Sequence, residues 1–322
     1  MKSLIGADPE IFLRDKKTSE YVSAAGIVPG TKEKPHRVDH GAVQLDGTAF
    51  EINIDAAETF PEFKKNLDAV LEQAKGYLPD NLEMAFEPVV EYEPKYFESL
   101  PNSQKQLGCD PDWDAATGRT NPAPRRLGSM ATGGGHIHLG WTKDQKVSDL
   151  DHMWDARQMT LRLHSYFSRF IPFWDPDTRR GGMYGSNAAY RPKTYGTEYR
   201  TPSNAWLKYP ELWEWMFNST KFVFKHAVEQ KQYMGPDRFG GDLLYITPGK
   251  LLGYDKNGLR VFDTPGSTHP RYTTENRKQL ARQEITTIFG DNTFPMFPED
   301  FKQVPMPPIK LVKDANKYAF GR

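Results

Sequence analysis

Three features of the 322-residue chain predict an α+β fold. Short segments alternate apolar and polar residues with period two, as half-buried strands do. Single long segments with apolar residues at helical spacing stand between them. The strands come singly or as hairpins separated by one helix each, with no internal repeat and no low-complexity run.

The first strand signal is "GADPEIFL", residues 6–13, where Ile5, Ala7, Ile11 and Leu13 read as one face and Asp8 and Glu10 as the other. Two carboxylates held that close raise each other's pKa unless a cation or base lies between them. An edge strand with a solvated face and a pairing-blocking proline reads the same way. The next, "AVQLDGTAFEINID", reads as a hairpin turning at Asp46-Gly47, after which Phe50, Ile52 and Ile54 alternate with Glu51, Asn53 and Asp55. Asp46 fits a turn former and Glu51 a ligand. In "GGGHIHLGW", Ile137, Leu139 and Trp141 oppose His136 and His138, behind glycines 133–135 that permit close backbone approach. Such imidazoles suit a metal or phosphate, and equally a satisfied core. In "YRPKTYGTEYRTPSNAW", Glu198 and Arg200 stand two apart with Arg191 upstream. They form either a plain ion pair or a metal ligand beside a guanidinium fork that matches phosphate oxygens. "RRGGMYGSN" adds Arg179 and Arg180 in a glycine-rich loop suited to an anionic substrate.

Four helices are predicted. "TFPEFKKNLDAVLEQAKGYL" has a Thr59–Glu62 capping box and Pro61 in its first turn. "SDLDHMWDARQMTLRLHSYFSRF" opens at Ser148 and Asp151 and stops before Pro172; "PELWEWMFNSTKFVFKHAVEQ" starts near Pro210; "TTENRKQLARQEITTIF" runs to Gly290. Trp213, Trp215, Phe217 and Phe222 fit helix-on-sheet packing better than a ligand box. Stretches 101–134 and 232–272 are rich in Gly, Pro and Asp without periodicity, the first a candidate lid over the site.

Composition narrows the function. Lys+Arg and Asp+Glu both number 42, against the strongly basic balance of a protein that tracks nucleic-acid phosphates. No run of eighteen apolar residues and no signal-peptide pattern is present, and the mean hydropathy is −0.70, so a cytoplasmic protein without membrane association is expected. Cys109 is the single cysteine, which excludes an intramolecular disulfide and a cysteine-based zinc site.

In order, the segments carry D-x-E, E-x-N, H-x-H and E-x-R. This order resembles the glutamine synthetase and glutamate-cysteine ligase superfamily. It is closer still to the phage-encoded COOH-NH2 ligases, or amidoligases, of that superfamily, which "GADPEIFL", "LDGTAFEIN", "LGCDPDWDAATG", "GGGHIHLG" and "YRPKTYGTEYRTPSNAWL" all resemble, over residues 3–217. The resemblance implies a glutamine-synthetase-like catalytic domain over 1–322, with 232–322 as a C-terminal extension. It implies a curved, mainly antiparallel sheet with helices packed on one face. It implies one cation between Glu10 and Glu51 and a second between Asp8, His136 and Glu198, with His138 facing nucleotide phosphates and Arg200 and Arg191 neutralising a transferred phosphoryl group. Two departures stand out: the family's further acid at the first cation is represented only by Asp46 or Asn53, and Asp8 replaces a longer glutamate.

The implied activity is an ATP- and Mg²⁺-dependent ligation, with Mn²⁺ as a substitute ion. A small-molecule or peptide carboxylate becomes an acyl phosphate, and an amine acceptor then forms the amide, releasing ADP and phosphate. The setting would be the cytoplasm, a host's for a phage-encoded chain. A metal-dependent amide hydrolase, or a non-catalytic phage-associated interaction protein that keeps the fold, are the alternatives.

Overall fold

The computed structural model describes residues 2–105, 112–124, 127–177, 179–186, 188–229, 250–254, 260–263, 274–290 and 294–305. Cys109, parts of the expected lid and most of 232–272 lie outside them. In chain order the strands are β1 (Leu4–Ala7), β2 (Glu10–Asp15), β3 (Tyr21–Val22), β4 (His36–Val38), β5 (Gly41–Asp46), β6 (Ala49–Ile54), β7 (Leu82–Ala85) and β8 (Val89–Glu91). They continue as β9 (Trp113–Asp114), β10 (Arg119–Thr120), β11 (Met130–Thr132), β12 (Ile137–Gly140), β13 (Ala189–Lys193), β14 (Gly196–Tyr199), β15 (Lys250–Tyr254) and β16 (Arg260–Asp263). The helices are α1 (Phe60–Lys75), α2 (Pro94–Ser99), α3 (Asn102–Lys105), α4 (Leu150–Phe167), α5 (Ile171–Trp174), α6 (Arg179–Met183), α7 (Pro210–Glu229) and α8 (Thr274–Phe289).

Pro9 sets the architecture, and it corrects the reading of residues 5–13 as one strand. Proline has no amide hydrogen for a ladder and pushes its predecessor, Asp8, to extended backbone, so the strand breaks there. β1 joins the sheet β1-β12-β14-β13-β9-β10, while β2 joins β3-β2-β6-β5-β4, with β7 also on β2. Every pair in both sheets is antiparallel. The sheets run on from one another where Ile5 and Ala57 exchange backbone hydrogen bonds of 2.9 and 2.8 Å, giving a curled antiparallel surface.

One face of that surface is apolar and carries the helices. Ile5, Val43, Ile52, Ile137 and Leu139 are buried in one core with Phe63, Leu67 and Val70 of α1, Leu163 and Phe167 of α4, and Val223 of α7. Helix α1 starts where the sequence places it, the Thr59 side chain accepting from the Glu62 amide. Helix α4 is capped by Asp149, between the two residues the sequence suggested, and ends at Phe167. Pro172 lies beyond it in the first turn of α5, where a missing N–H costs nothing. Trp213, Trp215 and Phe217 are buried core residues, with Phe222 packed against them. The ring of Trp215 lies edge-on to Phe170 and Phe297 at 5.1 and 5.0 Å between centroids. Ala281, Ile285 and Phe289 of α8 join the same core, with Phe294, Phe297 and Phe301 after it. Among the described residues no helix is long and apolar enough to cross a membrane.

Candidate functional site

The polar face of the curled surface holds the charged residues. Register aligns Glu10 of β2 directly opposite Glu51 of β6, and Asp46 reaches the pair from the end of β5, beside the turn that Gly47 makes at φ 61°. Each of the three carboxylates offers an oxygen within 4.8 Å of the others. Burial first, and then the Asp46 charge, push Glu10 up to about 7. Burial, followed by the charges of Asp8, Asp46 and Glu10, holds Glu51 well above the usual carboxylate range. The cluster is held by neutral donors: the Gly134 amide to Glu10 at 2.7 Å, and the Gln44 and Asn53 amides to one Glu51 oxygen at 2.9 and 3.0 Å. Asn53 thus bonds to a cluster carboxylate, while Asp46 is the third acid. Lys32 pairs with Asp46 at 2.7 Å.

The second cluster forms across β1, β12 and β14. Register sets His138 opposite Glu198, and Asp8 follows β1 beside His136. Asp8, His138 and Glu198 each offer an atom within 4.8 Å of the others. The resemblance implies His136 as the ligand in this group. Its Nδ1 lies 3.2 Å from Asp8 and 3.5 Å from Glu198. His138 Nε2 stands 2.9 Å from Asp8. Burial, then the Arg200 charge, depress His136 to about 4, so it is a neutral imidazole near pH 7. Burial would raise Asp8, but the two histidines outweigh it and hold the carboxyl well below its ordinary range.

Both clusters have donor sets that fit a divalent ion, oxygen-rich with one imidazole in the second. In the second cluster Asp8 Oδ1, both nitrogens of His136, His138 Nε2 and Glu198 Oε2 are buried with no hydrogen bond of good geometry. Buried polar atoms left in that state are costly and rare, and a cation that accepts their lone pairs relieves the cost.

Cations surround Glu198. Arg200 reaches it with one guanidinium nitrogen, touches Asp112 with Nε at 3.2 Å, and lies over the Tyr184 ring at 5.1 Å. Arg191 and Lys193 of β13 approach the other Glu198 oxygen at 3.7 and 2.7 Å. Arg180 is buried and donates to the carbonyls of Thr201 and Arg200 at 2.6 and 3.2 Å, so it fixes backbone beside the site, with its charge reaching Glu10. Arg179 is turned away onto Asp177 at 2.6 Å.

The triple glycine is explained by close approach. A β-carbon on Gly133 would meet Asn204, one on Gly134 the His136 ring, and one on Gly135 the Ser203 backbone. Asn204 in turn donates to the Glu10 carbonyl at 2.7 Å. Four residues escaped the sequence reading as site residues: Asp112, Lys193, Tyr195 and Asn204. Tyr195 bonds through its hydroxyl to His138 Nδ1, which leaves Nε2 facing Asp8. Tyr195 and Lys193 stand in the same quoted segment as Glu198, and a two-residue hairpin turn was the available signal for them. Asp112 lies in an irregular segment and Asn204 opens a one-turn 3-10 helix, Asn204–Lys208, both too short for a period to mark a face.

No family model matches this chain, and no curated protein matches it. A solved structure described as "GmaS/ADP complex-Conformation 1" is similar at 12% identity and a TM-score of 0.37, over 76% of this chain. The chain spans 59% of that one.

Proposed function

We propose that this chain is an ATP-dependent carboxylate-amine ligase of the amidoligase kind that its motifs resemble, acting in the cytoplasm on a small-molecule or peptide carboxylate and an amine. The observation that carries the reading is the pairing of two ligand clusters, Glu10–Asp46–Glu51 and Asp8–His138–Glu198, with the guanidinium groups of Arg191 and Arg200 on Glu198 of the second. A glutamine-synthetase-like arrangement of the curled sheet is part of the same proposal.

In this reading Glu10, Glu51 and Asp46 would hold one divalent ion and Asp8, Glu198 and His138 the other, with the neutral His136 ring standing beside Asp8 and Glu198. Bound Mg²⁺ or Mn²⁺ would supply charge neutralisation for the phosphates of ATP. Arg200 and Arg191 present forks to the γ-phosphoryl group, whose oxygens gather charge during transfer. A substrate carboxylate oxygen bonds to the γ-phosphorus as the bond to the β-phosphate oxygen breaks, releasing ADP. The amine then bonds to the acyl carbon, the carbon–oxygen bond to phosphate breaks, and the proton the amine loses goes to the departing phosphate.

Hydroxylamine tests this before either substrate is known, because it traps acyl phosphates in place of the amine. With Mg-ATP and a panel of amino acids and short peptides, the expected products are a hydroxamate with ADP and phosphate in equal amounts, abolished in Glu198→Gln. Hydroxamate without ATP would establish the hydrolase instead, and AMP with pyrophosphate would exclude an acyl phosphate.

A further inference from the structure

Lys193 ends β13 just before the Thr194–Tyr195 turn, and its carbonyl lies 2.6 Å from His152 Nε2 on α4, so the backbone beneath the side chain is anchored. Its ammonium stands 2.7 Å from Glu198 Oε2. The lysine side chain is 29% exposed while the Glu198 side chain is wholly buried, so a solvent-reachable cation neutralises a carboxylate that solvent does not reach. The neighbouring ligand atom Asp8 Oδ1 has no hydrogen bond, in a residue 8% exposed.

We propose that Lys193 is a tethered cation of the Asp8–His138–Glu198 cluster. Its ammonium balances Glu198 in the metal-free protein, yields to an arriving divalent ion, and then meets the nucleotide phosphates beside Arg191. This rests on the ligase reading of the same site. An ammonium and a divalent ion cannot share one carboxylate oxygen at contact distance without strong repulsion, since like charges a few ångströms apart in a buried site interact far more strongly than in water. Of the three cations on Glu198, Lys193 is the one built to move. Arg200 is fixed between Asp112, Glu198 and the Tyr184 ring. Arg191 lies mid-strand in register with Glu198. Lysine carries a compact charge on a flexible four-carbon stem at the strand end.

The test is a titration of Mn²⁺ alone into wild type, Lys193→Met and Lys193→Arg, followed by a non-hydrolysable ATP analogue at saturating Mn²⁺. Removing the competing charge should tighten Mn²⁺ by about tenfold in Lys193→Met and weaken the analogue by about as much, while Lys193→Arg keeps the charge and stays near wild type. A lysine that only braces the fold would lower the melting temperature without this opposite pair of shifts. Unchanged or weaker Mn²⁺ binding in Lys193→Met overturns the proposal, as does tighter Mn²⁺ with unchanged analogue binding. Should Lys193→Met fail to fold, Lys193→Gln carries the same expectations. Wild type that binds Mn²⁺ normally alongside an indifferent Lys193→Met removes Lys193 alone. Folded proteins that all ignore Mn²⁺ remove the metal reading as well.

Discussion

Arg200 shows how one side chain is asked to satisfy several partners at once. Its guanidinium spans two buried carboxylates, Glu198 and Asp112, and covers the Tyr184 ring. Asp112 is itself fixed by the Asn121 amide at 2.9 Å, so the fork is aimed by a chain of contacts rather than by its own rotamers. Lysine supplies one ammonium and cannot reach both carboxylates or present a planar pair of donors to a phosphoryl group. Arg200→Lys is therefore expected to keep nucleotide affinity near wild type and lose about 2–4 kcal/mol of transition-state stabilisation, read as a fall in kcat. Turnover equal to wild type would take Arg200 out of the chemistry and leave it an ion-pair partner of Glu198.

At the scale of elements, the strand–loop boundary before β12 separates two kinds of glycine. A β-carbon on Gly135 would run into the Ser203 backbone and the Trp206 indole, both buried, so backbone must shift. Gly135→Ala should lose roughly 1–3 kcal/mol of stability, measured by denaturant unfolding. On Gly134 the nearest obstacle is the His136 ring, a side chain that can turn, but it would leave Asp8 and Glu198 when it did. Gly134→Ala should melt close to wild type and bind Mn²⁺ several-fold more weakly; wild-type Mn²⁺ affinity would show that the ring position does not matter to the cluster. The contrast also marks what the sequence could and could not tell. Alternation exposed the apolar set Ile137 and Leu139 and the polar set His136 and His138, because a strand's period is local. The break at Pro9 was visible as a residue but not as a change of sheet, because pairing partners lie elsewhere in the chain. Cross-strand register decides that Glu10 faces Glu51 and Arg191 faces Glu198, and no local pattern encodes register. Asp112 and Asn204, outside any strand, were missed because their partners are 88 and 194 residues away.

For the molecule as a whole, the apolar core and the charged face meet through α4, and a buried histidine on its inner side ties the fold to pH. His164 Nδ1 accepts from the Ala188 amide at 3.3 Å and lies 3.0 Å from the Tyr199 hydroxyl, one residue beyond Glu198. Burial, and after it the Arg169 charge, push its pKa from 6.5 down to about 3. A base depressed by folding is neutral in the native state and takes up a proton only on unfolding. Its contribution is thus fully present above pH 6.5 and is lost as pH falls toward 3. At pH 5, about 1.5 units below the unfolded value, the loss is about 2 kcal/mol. Glu10, raised to about 7, acts in the opposite sense, favouring the folded state at low pH and losing that contribution as pH rises. The two effects overlap, so a single stability curve cannot separate them, whereas a variant can. His164→Asn keeps a hydrogen-bonding group near the Nδ1 position and removes the titration, leaving Glu10 untouched. It should be less stable than wild type at pH 7.5 through lost packing, and that deficit should shrink by about 2 kcal/mol at pH 5 in matched urea unfolding curves. A deficit that stays constant between the two pH values would mean that His164 is already protonated in the folded protein at pH 5, so that the Tyr199 hydroxyl rests there on a charged group rather than a neutral one.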